Sequence, residues 1–561
     1  MMFFRKLILQ SKIFLKRIYY FFFYKNFFAN FPDWKKILDK SNFIRPNNYK
    51  KNILVASSFG SNKATINGEI IFASALKLRD ANVHFLACNE ALTACSEVTF
   101  KSFSHVEDLF LGGIKEHCIH CWKSSELHLN PEIFVVHKYK DYLDKSDLIN
   151  ARKTVDEIED CKLKNFTFKK VKIGEHAYAG ALRFFARGDL NDSNSYKVLR
   201  YYLFSAILTY LVTKRVLLKN KISTLVLNHG IYVPQGIIAE TASSLGVNVV
   251  TWLPTYKKGC FIFTHKETYH KHLLNEKTTL WKNLKLKNKD IVELKKYINS
   301  RKKGYDDWIS FQRKNQSFNF KEFAKEKSIN LKKPIISLFT NVIWDAQLFY
   351  DQNIFQNMIE WIFETIDFAI TNNLQLIIRV HPAELTGSLP SRQNVIDEIN
   401  KKYKLLPTNI IIVAPNDKLS SYTLIDNSSF CIVYASTIAS EIAAMGKSVI
   451  AGGETWIKNK SISLDPKNKK QYFKFINQLT KKPKLSTSRR YRAIKYAYHF
   501  FFRRMIPIKC INILPGEFSS FNVDQNLISQ IKPGKNCDKG IDIICNGILF
   551  GSEFIYPAER Y

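Results

Sequence analysis

Between Leu376 and Gly453 three short apolar runs follow one another, and each stops at residues suited to holding a phosphate or a sugar. The first, Leu376-Ile377-Ile378-Arg379-Val380, has the continuous apolar character of a buried parallel strand. It stops at His381-Pro382-Ala383-Glu384, where proline removes a ladder donor. The second runs from Asn409 to Val413 and ends at Ala414-Pro415-Asn416-Asp417; the third, Phe430 to Tyr434, ends at Ala435-Ser436-Thr437. A helical pattern over Ile438 to Met445, stopped by Gly446, then leads to a strand at Ser448-Val449-Ile450. This rhythm predicts an open α/β sheet, in which ligands bind outside the carboxyl ends of the strands. Ser436 and Thr437 fall at a helix N-terminus, whose N–H groups suit an anion; simple N-capping would explain the same two residues.

A chain of 561 residues is too long for one ordinary core, so two or more domains are expected. Its 84 Lys+Arg against 49 Asp+Glu give a net charge of +35, which calls for an acidic partner. No zinc-finger, RNA-recognition or helix-turn-helix signature is present, so nucleic acid is not the expected partner. Ten unevenly spaced cysteines without a secretory signal read as reduced thiols, and the expected compartment is the cytoplasm. Met1 to Phe31 is rich in Phe, Tyr, Ile and Leu but carries Arg5, Lys6, Lys12, Lys16, Arg17 and Lys25, so no apolar span approaches the roughly 20 residues of a membrane helix. Such a stretch fits an anionic membrane surface, and equally a helix lying on its own domain.

A first α/β domain is expected over residues 49–260, after a basic aromatic segment at 1–48. Asn52 to Ala56 reads as a strand, Ser57 to Asn62 as a small polar loop, Ile66 to Leu78 as a helix and Val83 to Ala87 as the next strand. Gly60 and Gly68 alone do not make the glycine fingerprint of dinucleotide binders. Cys88, Cys95, Cys118 and Cys121, the last two as a Cys-x2-Cys pair beside His117, have half the spacing of a structural zinc or iron–sulfur site; ordinary buried thiols are the alternative. Residues from about Leu127 to Phe185 read as helical, and Tyr201 to Leu218 as a long apolar helix too short and too basic at its end to cross a bilayer. The strand Thr224 to Leu227 delivers Asn228-His229-Gly230 at its end, with a helix over Ile237 to Leu245 and a strand at Val247 to Thr251 following. His229 thereby takes, in its half, the place of His381 in the other.

Residues 261–333 read as a charged helical connector, 334–485 as a second α/β domain, and 486–561 as a basic helix with an irregular tail from Ile506. The opening strand of the second domain, Pro334 to Phe339, ends at Thr340-Asn341-Val342-Ile343-Trp344-Asp345, and an amphipathic helix, Phe355 to Asn372, follows. Two α/β domains with polar strand tips suggest two Rossmann-like domains facing a crevice, the GT-B arrangement of nucleotide-sugar glycosyltransferases.

The elements Thr340-Asn341-Val342-x-Trp344-Asp345, Arg379-Val380-His381-Pro382-Ala383-Glu384, Ser420-Ser421-Tyr422-Thr423-Leu424, Ser436-Thr437-x-x-Ser440-Glu441 and Asn228-His229-Gly230 together resemble bacterial capsule polysaccharide biosynthesis proteins. The His-Pro and Ser-Thr elements are also similar to those of bacterial sialyltransferases, Kdo transferases and teichoic acid polymerases. The resemblance implies transfer of a sugar, possible donors including a CMP-linked acidic sugar, to a capsule or other surface glycan, which lipid could carry at the inner membrane face. It implies donor-phosphate contact by His381, Ser436 and Thr437, and ribose contact by Glu441. Arg379 shares the strand side of His381 and either joins it at the nucleotide or pairs structurally with a carboxylate. His229 ranks first as general base, then Asp345, then Glu384. The acidic pair Asp306-Asp307 is not an Asp-x-Asp metal motif, so catalysis is expected to need no metal cofactor. A nucleotide-sugar 2-epimerase and a non-catalytic glycan assembly or export factor are the alternatives.

Overall fold

The computed structural model describes residues 2–27, 34, 51–304, 307–308, 319–345, 353–483, 485–513, 521–523 and 527–560. The expected boundary at residues 48 and 49 and the first residue of the Asp306-Asp307 pair lie outside them. The chain forms two compact units. The first comprises Met1–Phe185, Asp189–Tyr269 and Ile506–Tyr556; the second comprises Ala186–Gly188, His270–Met505 and Pro557–Tyr561.

In the first unit, β1 (Lys51–Ser58), β2 (Ala81–Ala87), β3 (Val135–Lys138), β4 (Thr224–Asn228), β5 (Asn248–Pro254) and β6 (Cys260–His265) make a sheet completed from the far end of the chain by β12 (Ile506–Pro507). Its order is β12-β6-β5-β4-β1-β2-β3. The five strands β3-β2-β1-β4-β5 are parallel, and β6 and β12 are antiparallel additions. The parallel core strands are buried on both faces; all five residues of β4 are withdrawn from solvent, as expected where helices cover both sides. The second unit holds β7 (Ile335–Phe339), β8 (Gln375–Arg379), β9 (Ile410–Val413), β10 (Phe430–Val433) and β11 (Ser448–Ala451), all parallel, in the order β11-β10-β7-β8-β9. Both units therefore carry the same Rossmann-like order, third-second-first-fourth-fifth, with the topological switch between the first and fourth strands. A two-stranded ribbon, β13 (Ile511–Ile513) with β14 (Phe521–Val523), stands apart.

Four expectations change. The connector begins with β6, whose Phe261-Ile262-Phe263 core is buried between β5 and β12, rather than with a helix. The stretch read as helical from Leu127 contains β3, a short edge strand whose Val135 stays 43% exposed and so leaves little apolar pattern. The tail from Ile506 is ordered into the first unit: β12 pairs with β6, and the helix Lys539–Phe550 lies along Lys63–Lys77. Arg79 fastens it there, donating to the Ile531 carbonyl at 2.8 Å and to Asp542 at 3.4 Å. The long apolar helix runs from Ser193 to Lys219, capped by Asp192, which accepts the Ser195 N–H at 2.9 Å. It is long and apolar enough to cross a membrane, but 72% of its apolar window is buried inside the protein.

The N-terminal helix, Met2–Phe27, lies on the helix Ile114–His128. Tyr20 and Ile13 meet Ile119, the Tyr20 hydroxyl is 2.9 Å from His120 Nδ1, Lys16 pairs with Glu116 at 3.3 Å, and Arg17 reaches Glu90 at 2.5 Å.

Candidate functional site

In the second unit, side chains link the tips of the three middle strands. Thr340, just past β7, accepts the backbone N–H of His381, just past β8, at 2.9 Å. Asn341 donates from Nδ2 to the carbonyl of Ala435, just past β10, at 2.9 Å. Ala435 has φ of +47°, so the backbone swings out of the sheet and delivers Ser436 and Thr437 at the start of the helix Ile438–Ala444. The Thr437 side chain makes no capping bond, so capping does not account for it.

His381 Nδ1 accepts the Ala383 N–H at 3.1 Å, which assigns the ring proton to Nε2. Burial, aided by the neighbouring Arg379 guanidinium, holds this imidazole down at about 4. The ring is a neutral N–H donor near neutral pH rather than a proton source. Arg379 is itself buried and pushed down to about 10, so it stays cationic. Its Nε faces Ser421 Oγ at 3.3 Å and its Nη1 donates to the Ala414 carbonyl. It ties the loop after β9 to the helix Ser421–Asn427 through a carbonyl and a hydroxyl, with the Asp417 charge nearby.

Two carboxylates among the expected site residues are buried and bonded to neighbours. Glu441 is 1% exposed, and its Oε2 accepts from Arg301 Nε at 3.1 Å and from the Tyr422 hydroxyl. Arg301 also pairs with Asp307, so this carboxylate anchors the helix Asn288–Lys303 to the helix after β10. Glu384, also 1% exposed, accepts the Val395 N–H at 3.0 Å and so stands in for Asn394, whose side chain does not cap the helix Val395–Lys402. Burial raises it to about 7. Asp345 sits in a turn after β7, its N–H bonded to the Val342 carbonyl at 3.2 Å.

In the first unit, β1 and β4 are joined at the corresponding switch. Ser57 Oγ accepts the Asn228 N–H at 2.7 Å and donates to Glu69, which burial raises to about 8. His229 follows with φ of +66°, its N–H on the Trp252 carbonyl at 3.0 Å and its ring 5.4 Å from Tyr232. Its position differs from the one inferred from the sequence. It follows the fourth strand, so its topological counterpart is Ala435, not His381, which follows the second. Tyr232 lies under Arg183, whose charge reaches Glu97; Glu97 in turn accepts the Ser61 hydroxyl at 2.6 Å. Glu69 and Glu97 were not singled out from the sequence, and Asn341 entered only as part of the element that ends β7. An acidic residue among Ile66, Ile70 and Ile71 was the one available signal for Glu69, and nothing in the spacing marks Glu97.

Cys88, Cys95, Cys118 and Cys121 all line one cavity of about 280 Å³ beyond β1 and β2, with Ser61, Glu97, His117 and His120. They do not form the expected metal centre: among the described residues no group of three or more His, Cys, Asp or Glu is placed to hold a metal ion. Burial raises all four thiols, Cys121 to about 11, which favours the protonated form over a thiolate ligand. The neighbouring histidines are turned to other partners, His117 to the Ser102 carbonyl at 2.8 Å and His120 to Tyr20.

No family model and no curated protein matches the chain. Among solved structures it is similar to a Thermosulfurimonas dismutans KpsC, a beta Kdo 2,4 transferase, at 12% identity and a TM-score of 0.35, over 58% of this chain and 95% of that one. It is similar to the UDP-GlcNAc 2-epimerase of Methanocaldococcus jannaschii at 12% identity and a TM-score of 0.25, over 79% and 97%. Sucrose-phosphate synthase from Thermosynechococcus elongatus gives 11% identity and a TM-score of 0.27, over 81% and 95%.

Proposed function

We propose that the protein is a glycosyltransferase that moves a sugar from a nucleotide-sugar donor to a capsule or other surface polysaccharide. The carrying observation is the linked set of strand tips in the second unit, where the Ala435 turn and Thr437 stand at the sheet's switch point and a neutral His381 stands at the tip of the next strand. Glycosyl transfer leaves negative charge on the departing nucleotide phosphate, and neutral donors fixed in place stabilise such charge without a proton being moved. In this reading His381 donates from Nε2 to a phosphate oxygen, and Ser436 and Thr437 contribute the helix-start donors. Glu441 and Arg379 act as positioning residues, the former through Arg301 and Tyr422, the latter through the Ala414 carbonyl and Ser421. The first unit takes the acceptor, with His229 beside Tyr232 as the base that removes its proton. Ten free cysteines fit a reducing, cytoplasmic site of action, where nucleotide sugars are made.

The test is incubation of the purified protein with CMP-linked acidic sugars and UDP-linked sugars, with and without glycan acceptors, followed by mass spectrometry. Acceptor-dependent nucleotide release with a mass gain on the glycan supports the proposal. Isomerised donor formed without acceptor would instead make the protein an epimerase, and unchanged donor with every pair would point to a non-catalytic assembly factor.

A further inference from the structure

Eleven of the twenty-four large apolar side chains exposed among the described residues sit on the N-terminal helix, a concentration that needs a partner. The helix touches its own unit along one narrow seam. Leu9, Ile13, Lys16 and Tyr20, spaced three or four residues apart, turn toward the body, and Tyr20 is 5% exposed. At about 100° per residue, Phe4, Leu7, Phe14, Leu15, Ile18 and Phe22 fall on the opposite side. These six are 41% to 70% exposed. Lys6, Lys12 and Arg17 fall on the flanks between the two faces, all exposed, and the helix contains no acidic residue. One stripe therefore lies on the protein, and the other is left bare.

We propose that the outer face is a membrane-docking surface that lies in the headgroup region of an anionic bilayer. The occupant follows from charge and geometry. Apolar rings opposite the body, flanked on both sides by cations, match a surface with an apolar interior and anionic headgroups, and the chain's net charge of +35 adds long-range attraction. A spanning orientation is excluded by Arg5, Lys6, Lys12, Lys16 and Arg17, which recur along the helix, and by the ion pairs of Lys16 with Glu116 and Arg17 with Glu90 that hold its seam to the body. Lys16 and Tyr20 also line the cavity beyond β1 and β2, so docking holds the first unit's strand tips roughly one helix diameter, about 10 Å, from the lipid. The inference stands apart from the reaction proposed above, since vesicle binding is read without any substrate.

The full-length protein is floated with phosphatidylcholine vesicles with and without about 30% phosphatidylglycerol. Binding is expected only to the anionic vesicles and should weaken as salt is raised. A combined Phe4→Ser, Phe14→Ser, Phe22→Ser variant should lose about a hundredfold or more in partitioning, and a Lys6→Gln, Lys12→Gln variant about tenfold. Both keep the wild-type melt, because these side chains lie outside the seam. Equal flotation of wild type and the triple-serine variant would overturn the proposal. So would concentration-dependent self-association without vesicles that the same serines abolish, since a second copy would then be the occupant.

Discussion

Replacing His381 with alanine should lower kcat by about 10²- to 10³-fold with little change in KM, the usual cost of losing one fixed donor to charge that develops in the transition state. The structure separates this loss from misfolding. The His381 backbone N–H is held by Thr340 at 2.9 Å whatever the side chain, and the bond that the imidazole accepts from the Ala383 N–H is worth about 1 kcal/mol. The imidazole titrates at about 4, below the ordinary 6.5, so the neutral form is favoured by the fold. The stability this contributes is complete above about pH 6.5 and is lost as pH falls toward 4, at most about 3 kcal/mol. The alanine variant should therefore be less steeply acid-sensitive than wild type even though it is slower. Initial rates of nucleotide release from pH 5.5 to 8.5, with urea melts at each pH, read both effects. The wild-type rate should show no limb assignable to this imidazole in that range. A variant within about threefold of wild type would remove His381 from phosphate stabilisation, and a limb near pH 6.5 that disappears in the variant would refute the neutral donor.

Arg301→Ala leaves the Glu441 carboxylate buried without its guanidinium and should cost about 3 to 5 kcal/mol in a urea melt; a loss below about 1 kcal/mol would mean that the pair does not anchor the helix. Glu69, raised to about 8, contributes stability that is complete below about pH 4.5 and lost as pH rises through 8, so Glu69→Gln should flatten the stability curve across that window. An unchanged slope would place the Glu69 carboxyl in water. Burial holds His84 at about 4 and His270 at about 3, so the whole protein should lose stability as pH falls from 6.5 toward 4. Replacing either with a neutral residue of similar size should soften that loss, and an equally steep acid transition in both variants would contradict the assignment.

The parallel core strands were legible because burial on both faces writes itself as an uninterrupted apolar run. Leu376 to Val380 and Thr224 to Leu227 were each placed within a residue or two of β8 and β4. Strands at the sheet's margins were not legible, for the converse reason: β3 is four residues long with an exposed Val135, and β12 contributes two residues from far along the chain. Site positions followed the same logic. A strand tip can be read from where an apolar run stops, so His229, His381 and Ser436 were found. What a carboxylate faces depends on partners remote in sequence, so the engagement of Glu441 by Arg301, 140 residues away, could not be read.

The shared strand order also explains a feature that sequence similarity between the halves does not reveal. After the fourth strand of each unit the next residue or the one following it, His229 in one and Ala435 in the other, has a positive φ, an uncommon conformation for residues with a side chain. In each case the turn lies beside the first strand and is bonded to it: Ser57 of β1 holds the Asn228 N–H, and Asn341, past β7, holds the Ala435 carbonyl. A residue in an unfavourable backbone region persists when its surroundings over-determine it, and here a side chain from the first strand, or from the loop just past it, bonds the turn in each unit. The switch point is therefore held open twice by the same device, built from different residues. His229 then belongs with Ala435 and Ser436 rather than with His381, so these residues occupy equivalent places on two copies of one topology.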